Sequence, residues 1–167
     1  MTRSVLHAPP GLRVYGSRDP IGIELASALA GPMTIAAGLS DGLGLGAGPR
    51  AFLFTRAIAE ASRLGVALGA TSASFFGLAG LGTLLGRATS LGDRSEDYRL
   101  GVSLARGEVQ VPRGEGVRVA QVSQIVARKA RTRTPILDAM AQILTGRLAP
   151  ADAVRALAAL SVVDEVE

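Results

Sequence analysis

Residues 27–46 read SALAGPMTIAAGLSDGLGLG, with five glycines, one carboxylate (Asp41) and no cation. As a string, Gly42-x-Gly44-x-x-Ala47 satisfies the glycine pattern of a dinucleotide fold. That pattern needs a strand before it, a helix opening directly after it, and a second strand carrying an acid. Here an apolar, helix-like run comes first and nothing downstream reads as a second strand. The glycines therefore read as a helix C-terminus, a turn, and a new helix opened by Pro49. Asp41 belongs to that turn as a structural residue. This reading points to an all-α fold rather than to an α/β one.

Working outward, Asp19-Pro20 offers an N-cap followed by proline in the first helical turn. A helix over about residues 20–38 follows, with Gly31-Pro32 expected to kink or break it. Upstream, LRVYGS (residues 12–17) has the alternation of a short strand. Downstream, Phe54, Ile58, Ala61, Gly65 and Leu68 recur at steps of four and three along one helical face that ends before Gly69. TSASFFGLAGLGTLLG reads as short helical pieces separated by glycine turns. Further helices are expected over residues 96–106, around Val119, Val122 and Val126, after a Thr134-Pro135 cap with Ile136, Met140 and Ile143, and from Pro150 with Val154, Leu157 and Leu160. The closing DEVE reads as a solvated tail. The expected organisation is an N-terminal extension with a residual strand (1–18), one helical domain (19–161) and an acidic tail (162–167).

Composition removes several function classes. The chain has 167 residues, 48% of them apolar, so one domain with a sizeable core is expected. With no cysteine, thiolate metal sites and disulfides are excluded. His7 is the only histidine, so no histidine metal cluster or Ser-His-Asp triad can form within one chain. Lys129 is the only lysine, so a mechanism that needs an amine has a single candidate. The net charge is +4, and ARKARTR (residues 127–133) is a basic run. With only 4% aromatics, its simpler reading is the cationic last turn of a helix, and no nucleic acid is expected. Residues 64–86 carry no charge and are long enough to span a bilayer. Glycines and ATSAS break the run, so two buried helices joined by a turn are expected there, and no membrane partner. The amino terminus lacks the apolar run of a secretory signal, which points to the cytoplasm.

IAAGLSDGLGLG, TRAIAEASRLGVALG and FFGLAGLGTLLGRATS together resemble the C-terminal helical substrate domain of NAD(P)-dependent glycerol-3-phosphate dehydrogenases, a fold similar to that of 6-phosphogluconate dehydrogenase-like proteins. The resemblance runs from about Leu12 to Leu160, with GEGVRVA and LAPADAV as its weaker later parts. It implies a second, amino-terminal Rossmann domain in the family's enzymes, which this sequence does not contain, with LRVYGS similar to the last strand of that sheet. It also implies glycerol 3-phosphate, dihydroxyacetone phosphate and NAD(P) as the family's substrates and cofactor, with no cofactor expected on this chain alone.

Carried over by position, the family's proton-transferring lysine falls on Ala30 and its neighbouring asparagine on Gly31. The aspartate of GLAG-x-GDL falls on Thr83, and a threonine four residues on falls on Arg87. The SRN triplet that grips phosphate and cofactor falls on Asp93, Arg94 and Ser95, where only Arg94 matches. The cofactor-contacting glutamate falls on Glu115, which also suits a helix start. The resemblance thus implies substrate contacts from Arg94, Ser95 and Arg87, cofactor contacts from Arg94 and Glu115, and no catalytic residue. The expectation is a substrate-domain homologue without autonomous catalysis. It would form a homo-oligomer or pair with a separate Rossmann chain, and any retained ligand would be a phosphorylated three-carbon compound. The alternatives are a dehydrogenase subunit active with that separate chain, or a gene remnant.

Overall fold

A computed structural model describes residues 7–88, 95–109 and 111–159. Among them are eight α-helices and one π-helical stretch, and no sheet. They are α1 (Pro20–Gly42), α2 (Ala47–Ala67), α3 (Ala73–Phe76), the π stretch (Leu78–Gly82), α4 (Thr83–Ala88), α5 (Glu96–Ala105), α6 (Glu115–Lys129), α7 (Pro135–Leu144) and α8 (Pro150–Ala158).

The expected strand at residues 12–17 is not formed. The only β pairing among the described residues is a single bridge between Ala8 and Leu12. A strand needs a neighbour to take its backbone hydrogen bonds, and the described residues offer none beyond that bridge. Leu12 and Tyr15 stay exposed as a result.

Helix α1 is the hub. Asp19 caps it, its Oδ1 accepting from Gly22 N at 2.9 Å. Its Oδ2 accepts from Thr71 N at 2.8 Å and from the Ser74 hydroxyl at 2.7 Å, which fixes α3 to the start of α1. These hydrogen bonds, the one from Ser74 foremost, hold the Asp19 carboxyl below its ordinary pKa. The expected break at Gly31-Pro32 does not occur, and the helix runs through Pro32 to Gly42. Residues 29–40 are all buried, so packing on every side outweighs the one backbone hydrogen bond that proline removes. This is also the one helix among the described residues long and apolar enough to cross a membrane. Two-thirds of that span is covered by the rest of the domain, as befits a core helix. The uncharged run 64–86 is divided among the end of α2, α3, the π stretch and α4, with Gly69 at φ +92° closing α2.

Past α1, Gly44 (φ +69°) and Gly46 (φ +85°) turn the chain in a backbone region that strains other residues, and α2 starts at Ala47. The dinucleotide-like string is thus a helix-to-helix turn. Asp41 lies in the last turn of α1 and works as a clasp. Its Oδ2 accepts from Arg50 Nη1 of α2 and from the Tyr98 hydroxyl of α5, both at 2.6 Å. Arg50 also donates to the Ala88 carbonyl at the end of α4 and lies 5.5 Å from the centre of the Phe54 ring. Asp41→Ala removes the carboxylate that Arg50 and the Tyr98 hydroxyl share. A loss of about 2 kcal/mol is expected, read as a lower midpoint in urea unfolding.

The apolar residues form two clusters along α1. One gathers Leu29, Met33, Ile58, Leu64, Phe75, Leu84 and Leu137. The other gathers Ile35, Leu39, Val117, Met140, Ile143 and Leu144. Ile136, Met140 and Ile143 of α7 are buried as their spacing predicts. Of the valine face expected on α6, Val119 and Val126 are half-buried and pack against the first cluster, but Val122 does not. Val122 is 56% exposed, whereas Gly116, Val117, Ala120, Ser123 and Ala127 are buried. Small residues face inward because α6 lies close against α1. A side chain at Gly116 would come within 3.0 Å of Ile35 Cδ1.

Thr134 sits at the N-cap of α7 as expected, but its hydroxyl is buried and makes no hydrogen bond. The cap comes from α2 instead. Glu60 Oε2 accepts from Ile136 N at 2.9 Å and Oε1 from Leu137 N at 2.8 Å. In α8, Val154 and Leu157 are half-buried, while Leu160 lies outside the described residues.

Candidate functional site

The end of α4, the start of α5 and the start of α6 enclose an open cleft of about 370 Å³. Arg87 enters from α4. Ser95, Glu96 and Asp97 enter from the first turn of α5, and Arg113, Gly114 and Glu115 from the approach to α6. The structure therefore brings together three of the four residues expected at a ligand site, Arg87, Ser95 and Glu115. Arg94 lies outside the described residues, as does Asp93.

Local structure accounts for part of this set. Ser95 is the N-cap of α5, and its hydroxyl accepts from Tyr98 N at 3.4 Å. Glu115 is the first residue of α6, where a carboxylate favours the positive end of the helix. Arg87 lies in the last turn of α4, the complementary end for a cation.

Asp97 is the residue that sequence reasoning missed. Its side chain is 17% exposed, and its Oδ2 lies 4.0 Å from Arg87 Nη1. The carboxylate sits where two helices lack side chains. A Cβ at Gly31 of α1 would lie 3.2 Å from Oδ2, and one at Gly116 of α6 would lie 2.6 Å from Oδ1. Burial raises the Asp97 pKa, against the opposing pull of Arg87 and a hydrogen bond from the Gly116 backbone. Glycine at both 31 and 116 was the available signal, but which side chain would enter the notch depends on how α5 docks.

The positions that the resemblance assigns to proton transfer are not among the residues that line the cleft. Ala30 is 1% exposed and belongs to the apolar cluster of Leu29, Met33 and Leu84. Thr83 opens α4, and its hydroxyl donates to the Leu78 carbonyl of the π stretch at 3.0 Å. Lys129 is exposed in the last turn of α6. No cluster of three or more metal-ligating side chains occurs among the described residues.

The family model for the C-terminus of NAD-dependent glycerol-3-phosphate dehydrogenase matches residues 19–155. The chain belongs to this family. It is 44% identical over 153 residues to the glycerol-3-phosphate dehydrogenase [NAD(P)+] of Leptothrix cholodnii, a match covering 87% of the chain and 45% of that protein. It is 40% identical over 171 residues to the one from Janthinobacterium sp., covering 97% of the chain and 51% of that protein. The crystal structure of glycerol-3-phosphate dehydrogenase from Coxiella burnetii superposes with a TM-score of 0.84 at 32% identity, covering 95% of this chain and 50% of that one. The chain thus spans about half the length of the relatives it matches.

Family membership accounts for the scaffold. The stretches that carry the resemblance form here the close approach of Gly38 to the Tyr98 backbone, the clasp and turn after α1, the Glu60 cap and the π stretch. Glu60 was legible in principle as a carboxylate set among the buried Ala57, Ile58, Ala61 and Leu64 of α2.

Proposed function

We propose that this domain is a glycerol-3-phosphate dehydrogenase homologue without autonomous catalysis, which acts as a binding or partner-contacting module in the cytoplasm. The observation that carries the reading is the buried methyl group of Ala30 where the resemblance places the family's lysine. Hydride transfer to a ketone builds negative charge on its oxygen, which a nearby acid must neutralise or protonate. Ala30 has no proton to give. The Thr83 hydroxyl is committed to Leu78, and Lys129 is exposed at the far end of α6.

NAD(P) is the cofactor implied by the family, and when bound it would supply the hydride. The described lining of the cleft sets three carboxylates (Glu96, Asp97, Glu115) against two guanidiniums (Arg87, Arg113). That balance does not fit a pyrophosphate or a phosphorylated three-carbon substrate. Phe76, Leu78 and Leu85, on three successive segments, are exposed apolar side chains that a second copy or a separate dinucleotide-binding chain would cover.

The test follows NADH oxidation with dihydroxyacetone phosphate, using the purified chain and the complex recovered with it from its host. No turnover is expected from either. The double variant Ala30→Lys/Thr83→Asp is also expected to be inactive and to unfold at a lower temperature, because it places an ammonium in an apolar cluster. A stoichiometric dinucleotide-binding chain together with turnover would replace this reading with that of a two-chain dehydrogenase.

A further inference from the structure

Arg87 and Arg113 face a cleft of a size to admit a small anion, yet the first carboxylate Arg87 meets is the protein's own. Asp97 comes from α5, reaches into the notch that Gly31 and Gly116 leave between α1 and α6, and accepts a backbone hydrogen bond from Gly116. Its two oxygens thus lie where an incoming anion would find a cation on one side and a backbone donor on the other. Glu96 and Glu115 flank it, so among the described residues the lining carries one more carboxylate than guanidiniums.

We infer that Asp97 is a built-in competitor that closes this cleft to phosphate and other small anions, by engaging Arg87 and filling the notch between Gly31 and Gly116. The inference concerns binding and goes beyond the loss of proton transfer, which rests on Ala30 and Thr83. Neutralising Asp97 removes one negative charge from the cleft, leaves Arg87 without its carboxylate partner, and turns the site from rejecting anions to holding them. Asp97 is partly desolvated, so its effect on Arg87 is screened less than that of an exposed pair.

The experiment is calorimetric titration of inorganic sulfate, and separately of inorganic phosphate, into the full chain at constant ionic strength. It compares the natural protein with Asp97→Asn, and folding is checked by circular dichroism and thermal unfolding. The natural chain is expected to show no saturable binding, and Asp97→Asn to bind both anions at least roughly tenfold more tightly. Adding Arg87→Ala should abolish the gain. Asp97→Ser makes the same test should Asp97→Asn fail to fold. The inference is overturned if the natural chain binds either anion as tightly as the variant, if neither variant gains affinity, or if the gain survives Arg87→Ala. Because the readout is binding without turnover, its failure is separable from failure of the proposed loss of catalysis.

Discussion

Gly101→Ala is expected to cost the domain about 3 kcal/mol, because the added methyl group meets backbone rather than side chain. Helix α5 makes its most extensive packing against α1, and the two backbones meet at paired glycines. A Cβ on Gly101 would press on the Ile35 carbonyl oxygen, come within 2.7 Å of Leu39 N and within 3.0 Å of Gly38 C. From the other side, a Cβ on Gly38 would press on the Tyr98 carbonyl and lie 3.2 Å from Tyr98 Cα. The obstructing atoms are backbone, which cannot swing away as a side-chain end can, so the helices must separate. That movement would also pull Tyr98 from the Asp41 clasp and shift Asp97 in the cleft. A fall of roughly 6–12 °C in the thermal midpoint is expected for Gly101→Ala, and a similar one for Gly38→Ala. Gly86→Ala is the control. It lies in α4 with nothing within 4 Å of the added atom, and alanine there should stabilise by about 0.5–1 kcal/mol.

Glu60→Ala should cost about 3 kcal/mol at neutral pH, because it strands two buried amides at the start of α7. Glu60 is 1% exposed. Burial pushes its pKa up to about 7, although two backbone hydrogen bonds and the charge of Arg63 favour the ionised form. The folded protein therefore holds this proton more tightly than the unfolded chain does. The resulting stabilisation is fully present below the ordinary carboxyl value of 4.5 and is lost as pH rises through about 7. Over that window the natural protein should lose up to about 3 kcal/mol relative to Glu60→Gln, which has no proton to release. Urea unfolding of both proteins at several pH values between 4.5 and 8 checks this. Parallel curves for the two would show that Glu60 does not titrate in the window.

Much of the fold was legible because it depends on local chemistry. Asp19-Pro20, Gly69 and Pro150 mark helix ends through caps and backbone preferences that act within a few residues. The glycine row 42–46 could be read as a turn because no strand precedes or follows it. Errors fell where tertiary packing outweighed local preference. Pro32 stays within α1 because residues 29–40 of that helix are buried. The valines of α6 are partly turned outward because small residues allow the closer approach to α1. Thr134 yields its capping role to Glu60, a residue 74 positions earlier that only the docking of α2 on α7 brings within reach.

The same division holds for the site. The sequence by itself determined the family scaffold, the absence of cysteine and of any histidine beyond His7, and the alanine and threonine where the resemblance places the family's proton-transfer pair. Each of these is a matter of which residues are present and in what order. Only the tertiary structure decided that Arg87, Ser95 and Glu115 share one cleft and that Asp97 lines it 4.0 Å from Arg87. Those groups come from three helices, and their separations are set by how closely glycines let the backbones of α1, α5 and α6 approach. The charge a cleft presents depends on such distances, which the order of residues along the chain does not contain.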